Sequence, residues 1–243
     1  MDYLLRDSLH AGVVYGRIDQ YRLIDTLRVL PESDQDGAEP RVGIEAGGLQ
    51  SAEGLLLARY FMYSQVYFHP VRRIYDIHLC DFLTAWLGEN QFPTDLDRFL
   101  ELTDNEVLVE IAKAVRDESH PGHEPAHRIA RRGHFRLLYE RNPTDAAKNP
   151  DAGEAVHNAA CQRFGGEFFR HDRYREQGSA ADFPVKMRDG RIVSSVAESD
   201  VLRNLPLVNV DYVFVAPERR VEAEGWLADN RDDIIGRVEE DES

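Results

Sequence analysis

The chain has 243 residues, of which 42% are hydrophobic; 44 acidic residues against 29 basic ones leave a formal net charge of −15. That length suits one large domain or two modest ones with a real core. The acid excess argues against nucleic acid or an anionic membrane as the main partner, no apolar run approaches the ~20 residues of a membrane span, and no signal peptide precedes the first helix, so a cytoplasmic protein is expected.

Only Lys113, Lys148 and Lys186 are lysines, so nearly all positive charge is arginine. Acid excess with so little lysine reads as adaptation to a halophilic cytoplasm, where carboxylates hold water and cations; at 1 M salt the screening length is about 3 Å. The two cysteines, Cys80 and Cys161, lie far apart and read as free thiols rather than a disulfide framework.

Along the chain, residues 2–14 predict a helix. "YRLIDTLRVLP" fits strand or helix, because its apolar positions do not decide. "PESDQDGAEP" is a turn, "RVGIEA" a short strand, and "GGL" a break. A long helix is expected from Ser51, as N-cap, to Leu87, with Pro70 kinking or dividing it. "FPTDLDRFLELTDNEVLVEIAKAVRDE" reads as turn, short helix, and a second helix capped at Thr103 or Asp104. "SHPGHEPAH" reads as a polar linker, and a domain boundary is placed there. Beyond it, "HFRLLYER", "DFPVKM", "RIVSSV" and "VDYVFVA" read as strands, "PDAGEAVHNAACQRFG" as an amphipathic helix, and "PERRVEAEGWLADNRDDIIGRV" as a final helix with a frayed acidic end. The expected fold is mostly α over 1–118, followed by a small α+β domain over 119–243.

Tyr3, Asp7 and His10 are spaced to share one helix face. In "ARYFMYSQVYFHPVRR", Arg59, Tyr63 and Tyr67 fall in one broad stripe, with His69 nearly opposite Tyr67. A guanidinium beside a phenol suits a phosphate with an adjacent sugar: the fork grips oxygens, and the ring packs on the sugar. On spacing alone, a solvated face and a tyrosine-rich core helix with a snorkelling arginine are the better readings.

Together, "MDYLLRDSLHAGVVYGRIDQYRLI" and "ARYFMYSQVYFHPVRR" resemble the HD-domain phosphohydrolases, in particular the branch of the sterile-alpha-motif/HD deoxynucleoside triphosphate triphosphohydrolase. The likeness runs on through "FLELTDNEVL" into the α+β half. It implies a helical enzyme that holds a divalent metal through a His, a His-Asp pair and a later Asp, and that splits a nucleoside triphosphate into nucleoside and triphosphate. By this resemblance Tyr3 and Asp7 match substrate-pocket positions, Arg59 a phosphate-contacting arginine, and Tyr67 the tyrosine packed on the deoxyribose. Asp19, Arg22 and His69 match a region of subunit contacts and activating nucleotides. Pro70 stands where relatives often have lysine, which weakens the case for an activating nucleotide.

In the family, the last metal-binding Asp lies a few residues before the Asp-Tyr pair matched by Asp2 and Tyr3, a place that falls before Met1 here. The resemblance therefore implies the C-terminal part of an HD enzyme. It would keep part of the nucleotide pocket, with no catalytic residue and no metal ligand of its own, the divalent metal belonging to the complete enzyme. A metal makes bound water a nucleophile by lowering its pKa from ~15.7 toward ~7, so the chain alone is expected to have little or no triphosphohydrolase activity. The expected partners are a deoxynucleotide-like ligand and either further copies of the chain or a polypeptide carrying the HD half. The alternative is a non-catalytic nucleotide-binding or structural subunit that pairs with a complete HD protein.

Two other patterns compete. "RHDRY" contains His171-Asp172 but no companion ligands at family spacing, and His120, His123, His127 and His134 cluster in "HPGHEPAHRIARRGH", where zinc could use three of them. No cysteine joins these histidines, and a solvated linker is the preferred reading.

Overall fold

The computed structural model describes residues 1–31, 40–88, 92–175 and 182–236. In chain order, α1 (Asp2–Ala11) is followed by α2 (Gln20–Thr26), β1 (Leu27–Pro31), β2 (Pro40–Glu45), α3 (Leu49–Met62) and a π-helical turn (Tyr63–Tyr67). Then come α4 (Pro70–Leu87), α5 (Leu96–Glu101), α6 (Asp104–Ala114), α7 (His123–Ala130), β3 (Arg136–Glu140), α8 (Pro143–Lys148), α9 (Ala152–Phe164) and β4 (Phe169–Arg175). The last elements are β5 (Pro184–Lys186), β6 (Ile192–Ser194), α10 (Ser195–Glu198), α11 (Asp200–Arg203), β7 (Asn209–Val215) and α12 (Arg220–Gly236). Helix predominates and the sheets are small, as the composition and pattern led us to expect for a mostly α chain with an α+β part.

The chain divides into two compact units, Met1–His69 with Arg175–Asn209, and Pro70–Tyr174 with Val210–Ser243. In the first unit the strands order as β1-β2-β5-β6. β1 and β2 are antiparallel, β2 and β5 are parallel with Ile44 beside Val185, and β5 and β6 are antiparallel. Leu23, Ile44, Ala52 and Val185 form its core, so α2 and α3 bury their apolar stripes on this sheet. In the second unit α4, α6 and α7 pack through Phe82, Ile111, Ala114 and Ala126. The sheet β3-β7-β4 is covered by α9 and α12 through Val156, Ala160, Val213, Ala223 and Leu227. The central strand β7 is buried along Val210–Val215, which explains its near-continuous apolar sequence.

Several expectations are corrected. α1 stops at Ala11 because Gly12 takes the left-handed conformation, φ 68°, that favours glycine after a helix. The segment that fits strand or helix is both: α2 to Thr26, then β1. α3 begins at Leu49 after Gly48, so Ser51 is not its N-cap. The long helix is divided, first by the π turn and then at Pro70, which begins α4 at a position where proline's missing N–H costs nothing. "SHPGHEPAH" is not a loop. Its second half enters α7, with Pro125 in the first helical turn and Ala126 fully buried between α4 and α6. The boundary read at 118/119 thus falls inside the second compact unit. "RIVSSV" is strand only to Ser194 and then turns into α10. The acidic turn "PESDQDGAEP" from 32 to 39 and the acidic end of the last helix from 237 lie outside the described residues.

Candidate functional site

α1 and the turn after α3 meet in the first unit. α1 buries Leu4 and Ser8, which leaves Tyr3 and Asp7 on the flank and half-buried, while His10 is exposed. The loop after α1 folds back closely enough that a Cβ at Gly16 would sit 2.1 Å from the Leu4 carbonyl oxygen. Only glycine allows that approach. The loop therefore fixes the segment that carries Tyr3 and Asp7.

The Tyr67 hydroxyl donates to Asp7 Oδ2 at 2.6 Å. The rings of Tyr3 and Tyr67 lie 6.4 Å apart, and Tyr63 meets Tyr67 edge-on at 5.1 Å. The Arg59 guanidinium carbon stands 4.7 Å from the centre of the Tyr63 ring. Four residues singled out in the sequence, Tyr3, Asp7, Arg59 and Tyr67, are thus joined in one cluster with a fifth, Tyr63. The π turn supplies part of this arrangement. Its wider ring, closed by the Phe68 N–H on the Tyr63 carbonyl at 2.8 Å, shifts the register of Tyr67 relative to α3.

The electrostatics are those of a sheltered phenol cluster beside one acid and one base. Burial, followed by the hydrogen bond to Asp7 and the charge of Asp7, pushes the Tyr67 phenol well above its usual range. Burial and then Tyr63 push Tyr3 up as well, while Arg59 opposes the rise. Both phenols are neutral donors at physiological pH.

The three residues expected in a regulatory region are placed as follows. Asp19 caps α2 by accepting from the Arg22 backbone N–H at 3.0 Å. The Arg22 guanidinium donates twice to the Gly47 carbonyl, at 3.2 and 3.0 Å, and ties α2 to the turn before α3. His69 is exposed at the end of the π turn, where its N–H meets the Val66 carbonyl at 3.4 Å.

The competing histidine patterns resolve into packing within the second unit. On β4 successive side chains point to opposite faces. His171 Nε2 pairs with the buried Asp211 at 2.7 Å, while Asp172 holds both Nε and Nη2 of Arg73, at 2.6 and 2.5 Å. His120 Nδ1 accepts from Gly122 N–H while its Nε2 lies 3.4 Å from Glu110 of α6, and His123 Nδ1 of α7 lies 2.8 Å from the Ala114 carbonyl that ends α6. His134 packs on Tyr75. Among the described residues, no group of three or more His, Cys, Asp or Glu side chains is placed to hold a metal ion. Asp7 is the single carboxylate of the tyrosine cluster and already accepts from Tyr67, so this cluster is not the donor set that a divalent ion needs.

Tyr63 is the residue that pattern reading undervalued. Its place in the stripe was visible, but its central position depends on the π turn, which leaves no mark in composition or spacing.

The comparisons with known proteins define a class. The family described as "HD associated region" matches residues 18–159, more than half of the chain, and the chain belongs to that family. A crystal structure of a hypothetical protein from Aquifex aeolicus superposes with a TM-score of 0.77 at 31% identity, covering 93% of this chain and 56% of that one. A phosphohydrolase from Bacteroides thetaiotaomicron has the same fold, with a TM-score of 0.61 at 21% identity, covering 88% and 60%. An uncharacterized protein of Methanocaldococcus jannaschii is 45% identical over 76 residues, 31% of this chain and 16% of its own length. The uncharacterized protein YwfO of Bacillus subtilis is 40% identical over 83 residues, 34% and 17%. The chain thus spans less than two thirds of the length of each of these relatives. The family match supports a relation to the HD superfamily. No helix among the described residues is long and apolar enough to cross a membrane.

Proposed function

We propose that this chain carries the nucleotide pocket of a deoxynucleoside triphosphate phosphohydrolase of the HD superfamily. In this reading the ion-holding His, His-Asp and Asp of the family pattern come from polypeptide outside these 243 residues, and the working assembly contains more than one copy or chain. The observation that carries the reading is the hydrogen bond from Tyr67 to Asp7, with Tyr3, Tyr63 and Arg59 around it. An arrangement of phenols, one carboxylate and one guanidinium matches a sugar hydroxyl with an attached phosphate chain.

The parts divide as follows. The Arg59 fork receives phosphate oxygens, where its fixed charge and paired donors count most. The Tyr3 and Tyr67 rings flank the sugar, and Asp7 accepts a hydrogen bond from a sugar hydroxyl. Holding the sugar and the phosphate chain at once fixes the phosphorus under attack, which is a contribution of positioning. No chemical step is assigned to a metal on these residues. The alternative, a non-catalytic nucleotide-binding subunit that pairs with a complete HD protein, uses the same pocket. It differs in predicting no gain in turnover when the two are mixed.

Calorimetric titration of the purified chain with a deoxynucleoside triphosphate tests the pocket. Saturable binding with one ligand per chain is expected, without release of triphosphate. Absence of binding at millimolar ligand would contradict the reading.

A further inference from the structure

The four histidines of segment 120–134 divide once their nitrogen lone pairs are counted. A neutral imidazole offers a single lone pair, and only that nitrogen can ligate a metal. His120 spends its lone pair at Nδ1 on the Gly122 N–H, at 3.0 Å, and its Nε2 faces Glu110 at 3.4 Å. His134 spends its own at Nε2 on the Arg136 guanidinium, at 2.5 Å. His123 differs. Its Nδ1 lies 2.8 Å from the Ala114 carbonyl, which can only accept, so Nδ1 carries the proton and the lone pair sits on Nε2. Among the described residues that Nε2 has no hydrogen-bond partner, and neither does the imidazole of the exposed His127.

These two unspent imidazoles are neighbours. His123 and His127 stand four residues apart in α7, a step of about 6 Å along the helix axis and about 40° around it. Their ring centres lie 6.1 Å apart. His127 is free to turn, and a small rotation of its ring brings both nitrogens onto one ion with bonds of about 2.0–2.1 Å. The Ala114 carbonyl serves His123 as outer partners serve metal-bound histidines: it fixes the tautomer and raises the basicity of the other nitrogen. Ala126, buried between α4 and α6, anchors the turn of helix that carries the pair. The Asp117 carboxylate adds negative charge near His123. Ser119 chiefly holds its pKa below the usual range, with smaller contributions from His120 and His123.

We propose that His123 and His127 form a two-histidine binding site for one divalent transition-metal ion of the zinc, nickel and copper group, with water completing its coordination. Imidazole nitrogens suit these ions, whereas magnesium and calcium take oxygen ligands. Among the described residues no third His, Cys, Asp or Glu is placed to join them, so the ion keeps open positions. The site lies wholly within the second unit and is independent of the tyrosine cluster.

The test uses the full chain purified without a histidine tag, titrated with Zn²⁺ by calorimetry and loaded with Cu²⁺ for electron paramagnetic resonance. His127→Gln and His127→Ala each remove one ligand from an exposed position, so a fold defect in one leaves the other usable. His10→Gln, exposed in the first unit, is the control. Thermal unfolding without metal selects the variants that keep the wild-type transition.

One Zn²⁺ per chain is expected in wild type and His10→Gln. Affinity falls at least about tenfold in the His127 variant, because the second imidazole binds the ion intramolecularly. The Cu²⁺ spectrum shows coupling to two ring nitrogens in wild type and to one in the variant. Added Zn²⁺ raises the unfolding temperature of wild type more than that of the variant. A wild-type chain that takes up no Zn²⁺ at millimolar concentration overturns the proposal. So does a His127 variant with wild-type affinity, or an equal loss in His10→Gln.

Discussion

Tyr67 and Asp7 share one short hydrogen bond between residues 60 positions apart in sequence. It helps to hold the Tyr67 phenol protonated and gives the Asp7 carboxylate a donor. Hydrogen bonds to a charged acceptor contribute about 1.5–3 kcal/mol, and a buried acceptor that loses its donor costs a similar amount. Tyr67→Phe therefore lowers stability by about 1–2 kcal/mol, less than the upper figure because both groups are only half-buried. Thermal unfolding should show this as a fall of a few degrees. An unchanged transition would mean that the pair contributes nothing to the fold. Pattern reading brought Tyr3, Asp7, Arg59 and Tyr67 into view because helical spacing and the family likeness pointed the same way. It did not show that Tyr67 reaches Asp7, since that contact depends on two elements meeting in space.

At the scale of elements, the site exists because α1 is stopped and folded back while α3 is widened into a π turn. Gly12 and Gly16 do the first. The former accepts φ 68°, and the latter lets backbone pass within 2.1 Å of where a Cβ would stand. Gly16→Ala forces the Leu4 carbonyl to move, because that clash is with backbone and not with the end of a flexible side chain. A loss of about 2 kcal/mol or more is expected, together with weaker nucleotide binding, because Leu4 adjoins Tyr3. Normal stability in Gly16→Ala would show that the loop is not the clamp described here.

Element types were largely legible where the period was clean. The stripe of α9 and the apolar run of β7 are both where the pattern put them. Legibility failed where local signals pulled against packing. Pro121, Gly122 and Pro125 read as linker, yet burial of Ala126 between two helices carries that stretch into α7. β4, with its sequence "FRHDRYR", has charged and aromatic residues on both faces, so no alternation marks it as a strand. The pairs of Asp172 with Arg73, Arg170 with Asp81 and Arg173 with Glu154, and the contact of His171 with Asp211, account for those polar residues.

At the scale of the molecule, the two compact units do different work. The first holds the tyrosine cluster, and the second holds the histidines whose titration is shifted by burial. His78 is buried in α4, where its Nε2 accepts from the Phe135 N–H at 3.2 Å. Burial, then the charges of Arg128 and Arg170, lower its pKa to about 4. His134 and His157 are shifted in the same direction, each chiefly by burial. A histidine held neutral in the fold titrates near 6.5 once unfolded, so the unfolded chain binds more protons as the pH falls. Stability from these groups is complete above pH 6.5 and is lost as the pH falls below it, for His78 down to about 4. The share of His78 approaches about 3 kcal/mol at the acid end. Urea unfolding from pH 7 to 4.5 should show this decline, and His78→Phe should flatten it while lowering stability at pH 7, because the Phe135 N–H loses its acceptor. A wild-type profile flat down to pH 4.5 would contradict the assignment.

The pocket itself is tested most directly by titrating a deoxynucleoside triphosphate into wild type and Arg59→Ala side by side, with calorimetry as the readout. The account predicts one saturable site in wild type and at least a tenfold loss in Arg59→Ala, as expected when a charge-assisted contact worth about 1.5–3 kcal/mol is removed. Equal affinity in the two proteins, or no binding to either, would contradict it.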